Sequence, residues 1–184
     1  LQNLMNRMLT PHQMPVYKKT NIHEILERVR SLILSEFTSD INFIRDYDVS
    51  LPEFIVDREK LIQAILNIAR NGAQAMKLNK QGNMQLSFVT RAERQIVFRK
   101  KKHATAIRID IIDNGPGIKN ELMDKIFFPL VTGSENGSGL GLSLAQNLIS
   151  LHQGMIDCHS VPGKTVFSII LPIENNLMPT KEKK

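Results

Sequence analysis

Two glycine-rich clusters follow a helical segment that carries two asparagines four residues apart. The clusters are Asp113-Asn114-Gly115-Pro116-Gly117-Ile118 and Gly137-Ser138-Gly139-Leu140-Gly141-Leu142, and the asparagines are Asn67 and Asn71. Glycine lets a backbone approach a ligand closely, and free amides at a helix start favour phosphate groups. Taken in this order, the three pieces predict a pocket for a nucleotide.

Asn67 and Asn71 share one face of the predicted helix, because residues four apart are neighbours on a helix surface. They lie at the edge of its apolar stripe, where a side-chain amide needs a partner. A carboxamide oxygen suits Mg²⁺, which takes few protein ligands and binds phosphate oxygens as well. On these two residues alone, a pair of solvent-facing helix positions remains an open alternative.

Asp113 ends a predicted strand, and glycines follow it two and four residues later. A buried carboxylate at such a position can accept the exocyclic amine of adenine. Gly115 and Gly117 would let the backbone turn and approach the ring without a Cβ clash. An ordinary Asn-Gly-Pro-Gly turn is the alternative for this cluster considered by itself.

Gly137, Gly139 and Gly141 precede a predicted amphipathic helix, whose free amides and dipole favour phosphate. Their spacing differs from a dinucleotide-binding fingerprint, because the third glycine comes one residue early. It also differs from a P-loop, because no Gly-Lys-Ser/Thr follows. Residues 127–136, between the two glycine clusters, have the composition of a mobile lid.

Hydrophobic periodicity and capping signals predict a mixed chain of helices and strands. The segment 90–105 is polar and basic, which predicts a long protruding hairpin, and Gly154 is expected to end the last helix. This order predicts an α/β two-layer sandwich, with a mixed five-stranded sheet and helices on one face. The expected helices are 21–33, 57–76, 120–127 and 140–152, and the expected strands are 41–44, 84–88, 96–98, 106–112, 155–161 and 165–171.

Composition serves mainly to exclude classes of protein. The longest apolar run, residues 167–173, is too short to span a bilayer, and no signal peptide is visible. The single Cys158 excludes internal disulfides and suits a reducing cytosol, so we expect a cytoplasmic protein with no membrane partner. The net charge is +6, but the basic run at residues 99–102 lacks interleaved aromatics. We interpret that run as a solvated hairpin tip and expect no nucleic-acid partner.

Four motifs of the chain resemble the N, G1, F and G2 boxes of sensor histidine kinases, and the similarity spans about residues 21–172. Those kinases share the Bergerat-type ATP-binding fold with gyrase, Hsp90 and MutL. Softer features resemble the nitrogen-regulation sensor kinases of the NtrB type, namely the opening residues 1–4, residues 68–71 with Gln74-Ala75, the long basic hairpin and residues 128–133. The box motifs are Asn67-Ile68-Ala69-Arg70-Asn71, Asp113-Asn114-Gly115-Pro116-Gly117, Phe127-Phe128-Pro129 and residues 137–142, with a weaker last glycine box at Gly163-Lys164-Thr165-Val166-Phe167.

The resemblance implies ATP and Mg²⁺ as cofactors. It implies that Asn71 ligates the metal, that Asn67 supports the metal side of the site, and that Asp113 reads adenine. Asn67 and Asn71 are the implied catalytic residues, and Thr165 would lie near the adenine ring. The implied nucleotide-binding set is Asn71, Gln74, Asp113, Gly115, Gly117, Ile118, Gly137, Gly139, Leu140, Gly141, Leu142 and Thr165.

The resemblance also implies a domain division and a set of partners. Residues 1–15 are expected to be the end of a dimerisation-domain helix and a linker, because apolar residues there keep helical spacing until prolines stop it. Residues 16–173 would form the catalytic ATP-binding domain, and residues 174–184 a disordered tail. The implied partners are the chain's own dimerisation domain, a response regulator of the NtrC type and a PII signal protein.

The activity implied by the resemblance is transfer of the ATP γ-phosphoryl group to a histidine. ATP-hydrolysing relatives place a glutamate where this chain has Asn67, and an amide cannot act as a base. His23-Glu24 begins like a phosphoacceptor motif but lacks its proline and leucine, so we expect the acceptor to precede Leu1. An ATP-hydrolysing clamp of the gyrase or MutL sort and a degenerate partner-docking module remain the alternatives.

One position departs from the NtrB-type pattern. Those kinases usually carry a basic lid residue where this chain has Ser134. Loss of that cation would weaken binding of the γ-phosphate unless Arg70, Lys125 or another group replaces it.

Overall fold

The computed structural model of the protein describes residues 14–37, 41–80, 82–98, 101–132 and 138–173. Within these ranges, helices cover one face of a mixed five-stranded sheet, so the predicted α/β two-layer sandwich is confirmed. A separate two-stranded sheet pairs β1 with β3. The elements in chain order are β1 (Tyr17–Thr20), α1 (Ile22–Glu36), β2 (Ile41–Asp46), β3 (Phe54–Asp57), α2 (Arg58–Leu78), β4 (Met84–Phe98), β5 (Lys101–Asp113), α3 (Asn120–Met123), α4 (Gly141–Leu151), β6 (Met155–Val161) and β7 (Lys164–Pro172).

The five-stranded sheet has the order β2-β4-β5-β7-β6, in which β2 and β4 are parallel and the other neighbours are antiparallel. Its inward residues on β5 are buried as predicted, and these are Ile107, Ile109 and Ile111. Arg108 and Asp110, on the other face of β5, are polar. Arg108 Nε donates to Asp110 Oδ1 at 2.9 Å, and Ser168 Oγ donates to the same oxygen at 2.7 Å. The hydrophobic core therefore lies on the helix side of the sheet.

Both long helices begin at the predicted capping residues. Asn21 Oδ1 accepts from the His23 amide at 2.8 Å, and Asp57 Oδ1 accepts from the Lys60 amide at 3.1 Å. Each such cap stabilises a helix by roughly 0.5–2 kcal/mol. The buried face of α2 packs against α1, α4 and the sheet, and it consists of Leu61, Ile62, Ala64, Ile65, Ile68, Ala69, Gly72, Ala73 and Met76. No helix among the described residues is both long enough and apolar enough to cross a membrane.

The prediction of three strands between residues 84 and 112 is wrong, because two long strands occupy this part of the chain. β4 pairs with β5 from Leu86 opposite Asp113 to Phe98 opposite Lys101, which confirms the long hairpin. Ladder hydrogen bonds join backbone groups, so polar side chains do not interrupt the pairing. Residues 99 and 100, at the basic tip, lie outside the described ranges.

The strands β1 and β3 were not predicted. Each has only four residues, and they pair antiparallel with Tyr17 opposite Asp57. Lys18 and Lys19 in β1 are exposed, so the segment lacks the apolar alternation that indicates a strand. Their pairing therefore depends on tertiary packing beside the start of α2.

The short helix predicted over residues 120–127 is wrong in its extent. α3 ends at Met123, and the chain continues as turns in which Lys125 N–H donates to Leu122 O and Phe128 N–H donates to Lys125 O. No side chain caps α3 at Lys119. An uncapped segment with i to i−3 bonds favours isolated turns over a continued helix.

The last helix ends differently from the prediction. The residue with left-handed backbone is Gln153, at φ 57°, and not Gly154. Gly154 is required for a different reason, because a Cβ there would lie 2.7 Å from the carbonyl oxygen of Ile170. Several predictions fall outside the described residues, namely the helix before Pro11, the tail 174–184, Ser134 and Gly137.

A buried histidine joins the end of α4 to the start of α2. The Asp57 amide donates to His152 Nε2 at 3.0 Å, and His152 Nδ1 donates to Leu148 O at 2.8 Å. Asp57 Oδ2 also accepts from the Val16 amide, so β1 is tied to the same point. These roles require a neutral ring with its proton on Nδ1. Burial lowers the pKa of His152, and the bond to Leu148 partly opposes that shift.

We expect the free energy of unfolding to fall as the pH decreases below about 6.5. The unfolded histidine then binds a proton that the folded ring resists, so up to about 1.4 kcal/mol is lost per pH unit. Urea denaturation at pH 7.5 and 5.5 should show this loss reduced in His152→Gln, which cannot titrate. An identical pH dependence in both proteins would contradict this role of His152.

Candidate functional site

The predicted site residues Asp113 and Thr165 form a row across three strands of the sheet together with Ser160, which was not predicted. Asp113 on β5 lies opposite Thr165 on β7, and Thr165 lies opposite Ser160 on β6. Cross-strand partners point to the same face of a sheet. Asp113 and Thr165 are 6% and 3% exposed, so two polar side chains are buried beside the helix layer.

The carboxylate of Asp113 lies against α2, the helix that carries the two asparagines. A Cβ added to Gly72 would be 2.9 Å from Asp113 Oδ2, so only glycine gives this oxygen its space. Asp113 Oδ1 accepts from the Gly115 amide at 2.9 Å. Burial raises the pKa of Asp113 above its ordinary value, and the bond from Gly115 partly opposes that shift. The site therefore presents a desolvated carboxylate oxygen next to the asparagine helix.

The two asparagines face the beginning of α4. A Cβ added to Gly141 would lie 3.7 Å from Asn71 Oδ1 and 4.0 Å from Asn67 Cβ. The buried Asn67 Nδ2 has no hydrogen-bond partner in the described part of the chain. Leaving a buried amide without a hydrogen bond costs about 1–3 kcal/mol. Such a group commonly pairs with a ligand or a water molecule. The sequence placed these residues on one helix face, and the fold brings the second glycine cluster to them.

The first glycine turn is fixed to the β6–β7 hairpin. The Gly163 amide donates to Gly115 O at 2.9 Å, and the Ile118 amide donates to Ser160 Oγ at 2.9 Å. Gly117 has φ +84°, and a Cβ there would lie 2.9 Å from the Val161 carbonyl. The turn is thus held at two points, with its backbone pressed against the hairpin between them.

The second glycine cluster meets the chain that follows α3. The Leu130 amide donates to Gly139 O at 2.9 Å. Gly139 has φ +65°, and a Cβ there would lie 2.5 Å from the carbonyl carbon of Leu130. Two backbone segments separated by nine positions in sequence are therefore in direct contact immediately before α4.

For the remaining predicted site residues, the structure gives mainly a position and an exposure. Leu140 and Leu142 lie at the start of α4 and are half-buried, as is Ile118. Gln74 is exposed on α2, one turn after Asn71, and therefore on a neighbouring position of the helix surface. Arg70, a candidate to replace the missing lid cation, pairs with Glu36 at 2.8 Å.

Three contributors to the site were missed from the sequence. Gly72 could have been suspected, because a glycine inside a long helix costs about 1 kcal/mol and usually has a packing reason. Ser160 lies on the inward face of β6 with Ile156 and Cys158, but a serine at a strand end gives no distinctive signal. Asn114 holds the turn to β4 by accepting from the Gln85 amide and donating to Asn83 O, both at 2.8 Å.

The protein surface has two depressions, of which one adjoins this cluster and the other is lined by different residues. One of about 270 Å³ adjoins Asp113 and Asn114 and reaches Lys164 on β7. A wider one of about 660 Å³ lies between α1 and β2, around Glu27 and Tyr47, far in sequence from every predicted site residue. In that wider depression Tyr47 Oη donates to Glu27 Oε1 at 3.0 Å, so its central polar groups already have protein partners.

Residues 56–175 match the family model described as histidine kinase-, DNA gyrase B- and HSP90-like ATPase. The chain belongs to this family. The match includes the asparagine pair on α2, both glycine clusters and the row from Asp113 to Ser160. In the described residues, no group of three or more histidine, cysteine, aspartate and glutamate side chains could hold a metal ion.

Curated relatives agree with this membership. The chain is 44% identical over 173 residues to the sensory histidine kinase/phosphatase NtrB of Vibrio alginolyticus, covering 94% of this chain and 49% of that protein. It is 45% identical over 174 residues to NtrB of Escherichia coli O157:H7, with the same two coverages. The chain therefore spans about half the length of the curated relatives it matches.

The fold resembles that of histidine kinase catalytic domains. The catalytic domain of the histidine kinase ThkA superposes with a TM-score of 0.68 at 23% identity, over 86% of this chain and 96% of that one. The mycobacterial sensor histidine kinase MprB gives 0.69 at 22% identity, over 84% and 97%. At these identities the likeness concerns the fold alone.

We expect Gly117→Ala to lower the free energy of unfolding by about 1–3 kcal/mol, because it forces a non-glycine residue into a strained backbone conformation against Val161. Gly82→Ala is the matched control, since no atom lies within 4 Å of an added Cβ there. That control should change stability by at most about 0.5 kcal/mol. Equal effects of the two substitutions in urea denaturation would show that the turn tolerates a side chain.

Proposed function

We propose that this chain is the ATP-binding catalytic domain of a two-component sensor histidine kinase acting in nitrogen regulation. It transfers the γ-phosphoryl group of ATP to a histidine on a dimerisation domain encoded outside these residues. The observation that carries the proposal is the convergence of Asp113, the asparagine pair and the start of α4 around one helix. The proposed domain runs over residues 16–173.

The base site would consist of Asp113 and Thr165. The buried Asp113 Oδ2, with its space against Gly72, is an acceptor for the adenine 6-amino group. Thr165 is the cross-strand neighbour of Asp113 on the same sheet face. Gly115 and Gly117 keep the turn free of side chains next to the base.

The phosphates would bind at the start of α4. The first amides of a helix have no partners inside the helix, and no side chain caps α4 at Leu140. The positive end of the helix dipole adds to the attraction for phosphate oxygens. Gly139 and Gly141 supply backbone that can approach a triphosphate, and Gly137 of the same cluster lies outside the described residues.

The metal side of the site fits Mg²⁺ bound together with ATP. Asn71 Oδ1 is an oxygen ligand of the kind that Mg²⁺ accepts, and it faces the phosphate end of the site. The unpartnered Asn67 Nδ2 can donate to a phosphate oxygen or a metal-bound water. When bound, the ion would neutralise phosphate charge during transfer.

Transfer to histidine is favoured over hydrolysis because Asn67, one helical turn before the proposed metal ligand Asn71, carries an amide. Asn67 cannot take a proton from water, whereas an imidazole acceptor already has a nucleophilic nitrogen. The NtrB relatives are named histidine kinase/phosphatases, which supports a response regulator as a further partner. An NtrC-type regulator and a PII protein remain proposals carried by the resemblance.

We expect Asp113→Asn to reduce the preference for an ATP analogue over the matching GTP analogue by about tenfold. The amide can still accept from adenine, but it can also donate to guanine O6, so discrimination falls. Isothermal titration in Mg²⁺ measures both affinities. Asp110→Asn, on the opposite face of the same strand, should keep the wild-type preference, and a loss in both variants would contradict the assignment.

We expect radiolabelled phosphate to pass from ATP to the upstream half of an NtrB relative, supplied as a separate polypeptide. Asn71→Ala should reduce this transfer at least about tenfold, because it removes a metal ligand. Asn147→Ala on exposed α4 surface is the matched control. Steady-state phosphate release without any acceptor would favour the hydrolytic clamp, and absence of nucleotide binding would favour a docking module.

A further inference from the structure

Ser160 connects the two halves of the base site through its hydroxyl group. Ser160 Oγ accepts from the Ile118 amide at 2.9 Å and lies 2.8 Å from Thr165 Oγ1. Ile118 belongs to the first glycine turn, and Thr165 lies beside Asp113 on the sheet. The Ser160 hydroxyl therefore hydrogen-bonds both to the turn and to Thr165.

The bond from Ile118 biases the direction of the hydrogen bond between the two hydroxyls. A serine hydroxyl has one proton and two lone pairs, and the Ile118 amide occupies one lone pair. Either hydroxyl could donate in this pair. Accepting a hydrogen bond polarises the Ser160 O–H and makes it a better donor, which favours donation to Thr165 Oγ1. In that arrangement Thr165 accepts from Ser160 and keeps its own proton for a group in the site.

We propose that Ser160 is a positioning residue that sets the adenine preference of this site by fixing Thr165 as a hydrogen-bond donor. The site then presents an acceptor, Asp113 Oδ2, beside a donor, the Thr165 hydroxyl. Adenine offers the complementary pair, its 6-amino donor and its N1 acceptor. Guanine offers the inverse pair, the O6 acceptor and the N1–H donor. The inference rests on the proposed function, because it concerns the base of the bound nucleotide.

A purely structural role of Ser160 would have a different consequence. Ser160 also fastens the glycine turn, so its loss could loosen Gly115 and Gly117. A looser turn would weaken binding of adenine and guanine nucleotides alike. A change in the ratio of the two affinities is therefore the readout that separates hydrogen-bond direction from turn stability.

The test is isothermal titration of the whole chain with non-hydrolysable ATP and GTP analogues in Mg²⁺. We expect Ser160→Ala to reduce the ATP-to-GTP affinity ratio about three- to tenfold, the range of one hydrogen bond. Ser160→Thr keeps a hydroxyl and should restore most of the ratio. Ser168→Ala removes a hydroxyl that bonds Asp110 on the opposite face and should leave the ratio unchanged.

A nucleotide without the N1 acceptor tests the same bond from the ligand side. In 1-deaza-ATP a carbon replaces N1, so wild type should bind it about tenfold more weakly than ATP. In Ser160→Ala the ratio of the affinities for ATP and 1-deaza-ATP should shrink to about twofold. Without Ser160 as its donor, the Thr165 hydroxyl is no longer fixed in the orientation that donates to N1. Ser160→Cys, whose thiol is a weak donor, should behave like Ser160→Ala and serves if the alanine variant fails to fold.

The outcomes distinguish this inference from the proposed function. No binding of the ATP analogue to wild type would overturn both. Selective binding in wild type with an unchanged ratio in Ser160→Ala and Ser160→Cys would overturn the role of Ser160 alone. Equal weakening of both nucleotides would assign Ser160 to turn stability and would likewise overturn the inference.

Discussion

The packing of α2 against the sheet is the constraint on which the site depends. Its buried stripe fixes the rotation of the helix, since each fully buried Leu or Ile contributes about 1.5–3 kcal/mol. That rotation places Asn67 and Asn71 at the edge of the core, facing the start of α4. It also sets Gly72 against the carboxylate of Asp113. Rotating α2 to move the asparagines would expose its buried stripe to solvent. The packing of the core and the geometry of the site are therefore coupled.

The buried polar row is tolerated because nearly every member has a partner. Asp113 accepts from Gly115, and Ser160 binds both Thr165 and the Ile118 amide. Burial still disfavours the charged carboxylate, which the raised pKa of Asp113 reflects. A ligand that donates to Asp113 Oδ2 would offset part of that cost.

The sequence predicted the features that depend on local pattern. Periodicity located α2 and its stripe, the capping residues Asn21 and Asp57 marked helix starts, and the glycine clusters marked the turns. Prediction from the sequence failed where tertiary contacts determine the structure. The strands β1 and β3 are too short to show alternation, and β4 continues through polar residues because its partner strand supplies the hydrogen bonds. Ser160 gave no signal because its role arises only from cross-strand pairing.

The chemistry of the site follows from which groups can carry a proton. The asparagine pair offers oxygens for a cation and one amide donor that has no partner among the described residues, but no base. The buried carboxylate accepts from the Gly115 amide, and its other oxygen lies against Gly72. Such an arrangement can hold and orient a triphosphate without activating water. Positioning is most of what phosphoryl transfer requires, so the amide at Asn67, which cannot act as a base, supports the proposed transfer to an external nucleophile.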